Sequence, residues 1–369
     1  MNLTETSIFV KRAAVICVVF FFGFFIVKFS FLLLGAAWLK INPPPPPAVT
    51  TIFGQLPPII IPKLPLESAD NITYTVDTPT GKFPALPTQL TVFKIPHPPA
   101  TLLSDSRARA LARSMGFVSE PIRVSSSDLH WDDVPNSRSL DVNIVTNVFK
   151  MKTSPQKLAL DLSPGTAPTQ AQAINVTLAF FTNRQLLAPD YLQGNQTTSL
   201  IKLTAGNYSE AQSLSDAQIT RVNLFRQAEK LNVYGPSPKE GMIQAEATAL
   251  PNNASFAAIN FYGWTLDTAK TGSYPLKSAD KALLELKSGQ GSFTYLQLRG
   301  QDKFTTYVPL NLAQVSIRTV ELAYYDSQLV QDFLQPMYVF SGIFKTTGGS
   351  EGDFVAYVPA VDASWITTK

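Results

Sequence analysis

The chain opens on an unbroken apolar run and only later settles into alternation. Ala13–Leu39, AAVICVVFFFGFFIVKFSFLLLGAAWL, carries a single charge, Lys28. A bilayer core takes about 20 apolar residues in a helix, and a buried helix of a water-exposed domain keeps a polar side. The pattern therefore predicts a transmembrane helix over 13–39. Lys11 and Arg12 before it place residues 1–12 as a cytoplasmic tail and the bulk of the chain outside the cytoplasm. Lys28 either snorkels to an interface or meets an acidic group of a partner within the bilayer.

Residues 40–66 form the next unit. Pro43–Pro47 must be extended, because each ring fixes φ and its neighbours avoid the helical region. Five polyproline II residues span roughly 15 Å, which makes a stiff spacer. The following stretch, Thr51–Pro65, is punctuated by proline yet apolar. A plain linker is polar, so this segment lies against its own domain, a partner or a bilayer surface. Phe53, Leu56, Ile59, Ile60 and Ile61 join Lys28 as candidate interaction residues.

From Asn71 onward polar and apolar positions alternate. Asn71–Asp77, Thr91–Ile95, Leu129–Trp131, the hairpin Leu140–Lys152, Ser199–Leu203, Gln218–Phe225, Met242–Ala249 and Ala257–Leu266 read as strands. So do Phe293–Leu298, Ser316–Tyr325, Met337–Phe344 and Phe354–Pro359, with a hairpin turn at Gly348-Gly349. Helical spacing marks Ser104–Met115, part of Thr169–Leu187, and Lys277–Gly289. In the last, Ser278 caps a stripe of Ala282, Leu283 and Leu286 and Gly289 stops it. The expected class is α+β, with antiparallel sheets each packed with a helix. The expected modules are 67–190 and 191–369.

Composition narrows the function. Charged residues are 15% of the 369, against about 25% in ordinary globular domains. A net charge of +3 from scattered Lys and Arg does not suit a nucleic-acid partner. One cysteine, Cys17, excludes an intrachain disulfide and a cysteine-built zinc site. Sequons at Asn2, Asn71, Asn175, Asn195, Asn207 and Asn253 agree with an exported body.

Candidate chemistry is sparse. Ser154–Lys157 and Ser278–Lys281 spell S-x-x-K, and Lys270-Thr271-Gly272 spells K-T-G. Pro155 follows the first serine, and the second serine follows the K-T-G, so the order needed for an acyl-serine site is absent. His130-Trp131-Asp132-Asp133 sets an imidazole beside carboxylates, an arrangement for acid–base work or simply a strand end. Phe261, Tyr262 and Trp264 could line a ligand groove or fill a sheet core. No catalytic residue and no cofactor are expected.

The carboxy-terminal third carries a resemblance. Tyr274-Pro275 leading into Ala279–Gly289, then ELAYYD (Glu321–Asp326), LQPMYVFSG (Leu334–Gly342) and FVAYVPAV (Phe354–Val361), is similar to the Yyc-type, PepSY-like extracytoplasmic modules that accompany two-component sensor kinases. The anchor with its proline run also resembles single-pass proteins of candidate-phylum bacteria. The likeness spans about residues 274–361 and implies a membrane-tethered module that binds an envelope protein. Two other functions fit the same residues: a self-associating envelope component, and an envelope ligand-binding protein or enzyme.

Overall fold

Strand accounts for 39% and helix for 21% of the computed structural model, which describes residues 20–25, 27–35, 49–68, 71–97 and 99–367. The first strands are β1 (Leu66–Ser68), β2 (Thr73–Val76) and β3 (Gln89–Lys94), followed by helix α1 (Leu102–Ser114). Next come β4 (Ile122–Arg123), β5 (Asp128–Asp133), β6 (Arg138–Asn143) and β7 (Phe149–Thr153), then α2 (Pro155–Asp161), α3 (Gln170–Asn183) and α4 (Pro189–Leu192). The middle of the chain gives β8 (Gln196–Thr204), β9 (Asn207–Glu210), β10 (Ile219–Leu224), β11 (Arg226–Ala228), β12 (Leu231–Tyr234), β13 (Ile243–Ala247), β14 (Phe256–Phe261) and β15 (Asp267–Pro275). Helix α5 (Ala279–Lys287) leads into β16 (Ser292–Leu298), β17 (Leu310–Tyr325), β18 (Phe333–Thr346) and β19 (Glu351–Pro359).

Two sheets result. The first is antiparallel in the order β4-β5-β6-β7-β14-β13-β10-β8-β9. It draws strands from both sides of residue 190, since β7 pairs with β14. The second has the path β11-β12-β17-β18-β19-β16, with β1 and β2 parallel to β17, and β3 joining β15 to β18.

In the first sheet each strand sends alternate side chains to opposite faces. Trp131, Leu140, Met151, Ile259, Ala245 and Val222 fall in one cross-strand row and are buried. Ala108 and Ala112 of α1 and Ala173 and Phe181 of α3 complete that core. Thr169 starts α3 with a reciprocal cap: its N–H donates to Gln172 Oε1 at 2.9 Å, and the Gln172 N–H donates to Thr169 Oγ1 at 3.4 Å. In the second sheet α5 lays Ala282, Leu283 and Leu286 on Leu322, Phe340, Phe354 and Val358. Ser278 Oγ accepts the Lys281 N–H at 3.2 Å, as an N-cap should.

The opposite face of the second sheet, with Ala323, Tyr325, Met337, Val339 and Tyr357, is covered by Ile59 and Ile61. The proline-punctuated segment thus acts as a strap. The Leu56 N–H donates to Trp365 O at 2.8 Å, Gln335 Nε2 donates to Pro57 O at 2.9 Å, and the Leu64 N–H donates to Phe293 O at 2.8 Å. Prolines at 57, 58, 62 and 65 have no N–H to leave unpaired along this path. Leu56 is fully buried among Val92, Tyr274 and Val361.

Of the chain's passages between the sheets, the one from β10 to β11 takes a single residue, Phe225. Immediately beyond it Arg226 is buried. Its Nε donates to Asp190 Oδ2 at 2.7 Å, and its Nη1 donates to Asp326 Oδ2 at 3.2 Å. Gly194 packs beneath the crossing: a Cβ there would lie 1.8 Å from the Phe225 carbonyl oxygen. Burial works against the Arg226 charge, yet the surrounding anionic groups hold its affinity for the proton above the usual range. Burial pushes the Asp326 carboxyl up to about 6, and Arg226 pulls it only partly back.

Two expectations are corrected. The α+β, PepSY-like, helix-packed class does not hold: the strands join two large, mostly antiparallel sheets, and residues 274–361 belong to the second of them with one helix upon it. Local alternation specifies strands but not which distant strands they meet. The membrane-anchored, single-pass localisation is also overturned. Among the described residues no helix is long and apolar enough to cross a membrane. The expected tail at 1–12 and the proline run at 43–47 lie outside the described residues. Residues from Val49 on form one compact unit, separate from residues 1–48.

Two measurements test this packing. Leu56→Ala removes a fully buried side chain from the strap and should cost about 2–5 kcal/mol in denaturant unfolding; a cost near zero would mean that the strap is not packed as described. For Asp326, the native state binds more protons than the unfolded chain between about pH 4 and the folded value near 6. Its contribution is therefore fully present below the unfolded pKa and is lost as pH rises through that window. Relative to Asp326→Asn, the wild type should lose up to ~1.4 kcal/mol per pH unit across it; parallel stability curves would contradict the burial.

Candidate functional site

The same alternation that builds the core leaves the reverse face of the first sheet polar. In β10, Val222 and Leu224 point into the core while Arg221 and Asn223 point away. Their cross-strand neighbours on that face are Ser199 and Thr197 of β8 and Glu246 and Gln244 of β13. This face forms the floor of a cleft of about 700 Å³. Its far wall comes from the second sheet and the loop after it: Tyr295 and Gln297 of β16, then Gln301, Phe304 and Tyr307. Asn232 and Tyr234 of β12 and Ser237–Glu240 close the sides.

The floor is a directed chain of amides. Asn260 Nδ2 donates to Gln244 Oε1 at 3.2 Å, Gln244 Nε2 donates to Asn223 Oδ1 at 2.9 Å, and Asn223 Nδ2 donates to Thr197 Oγ1 at 3.5 Å. Asn223 Oδ1 also accepts the Gly241 N–H at 3.1 Å. Each amide is thereby fixed in orientation. Asn223 keeps a second N–H and Thr197 its hydroxyl proton for a ligand.

Arg221 and Lys303 are compensated before any ligand arrives, while Lys239, its Nζ 5.6 Å from the centre of the Tyr295 ring, and Glu240 line the cleft without an ion pair among the described residues. Arg221 Nη2 donates to Glu246 Oε1 at 2.6 Å, with both side chains largely buried, and Tyr208 donates to Glu246 Oε2 at 2.9 Å. The Arg221 guanidinium lies 4.8 Å from the centre of the Phe304 ring. Lys303 pairs with Glu210, and Asp302 Oδ2 accepts the Glu210 N–H at 2.9 Å, which ties the wall to the floor. Burial, then Glu321, pushes the Tyr234 phenol up to about 12. Burial, with Asp353 and Glu210, also raises Tyr295. Both phenols are neutral hydrogen-bonding groups at physiological pH.

The residues singled out from the sequence fall elsewhere. Phe53 packs on Phe333 with ring centres 4.9 Å apart; Leu56, Ile59 and Ile61 cover the chain's own second sheet, and Ile60 is exposed. Phe261 stacks between Phe149 at 4.9 Å and Phe181 at 5.5 Å in the first core. Trp264 is buried and its Nε1–H donates to Ser327 O at 3.0 Å; Tyr262 is buried beneath Lys150. Lys28 is exposed on the described apolar helix.

His130 lies on the polar face of the first sheet. Its Nδ1 is 2.7 Å from Asp141 Oδ1 and its Nε2 is 3.1 Å from Asp132 Oδ1. The hydrogen bond to Asp141 first, and that to Asp132 second, raise its pKa above the ordinary histidine value despite partial burial. Asp133 turns away and pairs with the buried Arg138 at 2.9 Å. Among the described residues, no cluster of three or more His, Cys, Asp or Glu side chains could hold a metal ion. Sequence reasoning missed the cleft residues. The available signal was polar alternation at 197/199, 221/223 and 244/246, which reads equally as a wet sheet face.

No family model matches the chain, and no curated protein matches it. Among solved structures it is similar to an uncharacterized protein from Eubacterium rectale, solved at 1.45 Å. That likeness has 11% identity and a TM-score of 0.40, and covers 79% of this chain and 89% of that one.

The histidine geometry gives a direct check. The His130 imidazole, followed by NMR, should titrate above the ordinary value of about 6.5, and Asp141→Asn should lower its midpoint. With a raised folded pKa, the pairing stabilises the fold fully below the unfolded value and is lost as pH rises through the folded one. An unshifted midpoint in the wild type would contradict the double carboxylate contact.

Proposed function

We propose that the chain is a ligand-binding protein, not an enzyme, and that its cleft takes a neutral, hydroxyl-rich ligand of the glycan class. The observation that carries this reading is the cleft lining: a fixed row of amides and hydroxyls opposite tyrosine and phenylalanine rings, with Arg221 and Lys303 paired to carboxylates and Lys239 set against the Tyr295 ring. Sugar hydroxyls accept and donate in the geometry that oriented Asn, Gln and Thr side chains provide, and C–H faces of the sugar ring pack on aromatic rings. A charged ligand that engaged Arg221 or Glu246 would have to break their largely buried pair, which leaves an uncompensated charge. Concave pockets with a few convergent polar groups are the usual form of small-ligand sites.

The test is calorimetric titration of the full chain with neutral oligomers of glucose and of N-acetylglucosamine. At least one should bind. Asn223→Ala and Tyr295→Ala should each weaken binding about ten-fold, equivalent to about 1.4 kcal/mol. If no neutral glycan binds, or if both variants bind as the wild type does, the reading fails.

A further inference from the structure

The amide row does not stop at the edge of the cleft. Asn260 pairs in register with Lys150 of β7, Lys150 with Asp141 of β6, and Asp141 with His130 of β5. With Thr197, Asn223 and Gln244 these side chains make one straight cross-strand line on a single face of the sheet. The line crosses six inter-strand steps, roughly 29 Å at about 4.8 Å each. Only its first part lies in the cleft. Along the remainder Lys150 and Asp141 are exposed and Asn260 and His130 are half-buried, so polar groups continue at every step.

We infer that the ligand is a linear glycan polymer that leaves the cleft at Gln244 and runs across the strands over Asn260, Lys150, Asp141 and His130. This rests on the glycan reading of the cleft and adds the length and direction of the chain. Three observations favour it over a compact ligand. The floor continues in register beyond the cleft, without a change of face. The extension is built from hydrogen-bonding side chains at the strand spacing. Its charges are few: the histidine is bracketed by two carboxylates, and Lys150 is the one cation of the row without a carboxylate partner among the described residues, its Nζ lying 5.5 Å from the centre of the Tyr262 ring. An extended neutral polymer with hydroxyls along its length meets such a row; a helix would need an apolar stripe that the row lacks.

The experiment titrates the full chain with two lengths of one glycan, cellobiose against cellohexaose and chitobiose against chitohexaose. The hexasaccharide of the recognised series should bind at least ten-fold more tightly than its disaccharide. Lys150→Ala, at an exposed position, and His130→Ala should remove most of that gain while leaving disaccharide binding unchanged. Equal affinity for the two lengths overturns the inference and leaves the cleft reading standing, as does an equal loss for both lengths in the variants. Failure of every sugar to bind overturns the cleft reading and this one with it. Lys150→Ala keeps the test valid should His130→Ala fail to fold.

Discussion

Arg226 is the constraint on which the rest of the molecule depends. At the shortest of its passages between the two sheets, from β10 to β11, the chain crosses over one residue, and the first side chain after it is buried. That side chain is a guanidinium. Asp190, on the helix that precedes the first sheet's β8, and Asp326, at the end of the second sheet's longest strand, both point at it. A buried arginine is tolerable only when its donors are satisfied, and removing one partner of such a pair costs roughly 3–5 kcal/mol. The pairing therefore fixes where the second sheet stands against the first. Gly194 makes the crossing sterically possible, because backbone passes directly beneath it.

The cleft follows from that placement. Its floor belongs to one sheet and its wall to the other, and Asn195, Phe225 and Asn232 around the crossing line one end. Had the sheets packed tightly, the polar face of β8, β10 and β13 would be an unsatisfied layer inside a core. Held apart at this end and tied across by Asp302 and Lys303, it becomes a lined cavity whose amides satisfy one another and still retain donors. The strap Thr51–Pro65 does the corresponding service on the second sheet, covering an apolar face with residues that bring few N–H groups of their own.

Much of the secondary structure was legible in the sequence. Ser278 announces its helix by capping chemistry, and the long alternating strands from Ser316 to Pro359 declare themselves by period. The hairpin β11–β12 did not: Glu229 and Lys230 both sit at positive φ, 48° and 67°, where glycine or asparagine is the usual signal. Strand β15 was hidden because Asp267–Thr271 is polar on both faces and reads as a turn. The sheet assembly was not legible at all, since pairings such as β7 with β14 join segments a hundred residues apart. The candidate site was illegible for a similar reason: outward polar alternation looks the same whether water or a cleft lies beyond it.

The aromatic residues make the same point from the other side. Tyr324, Tyr325, Tyr338 and Tyr357 are buried, and their rings pack edge-on or tilted within the second sheet's cores, so they fill it and present no surface. On the proposed reading, ligand recognition falls instead to modest side chains that register brings into line, with Tyr295 and Phe304 on the facing wall. The central claim is that this polar face is where ligand binds. Its most direct test is a map of backbone amide NMR shifts during titration with the hexasaccharide of the recognised series. Shifts concentrated at 195–199, 221–223, 244 and 294–297 are predicted; shifts confined to another face, such as the groove around Phe83–Pro87 and Leu276–Asp280, would contradict it.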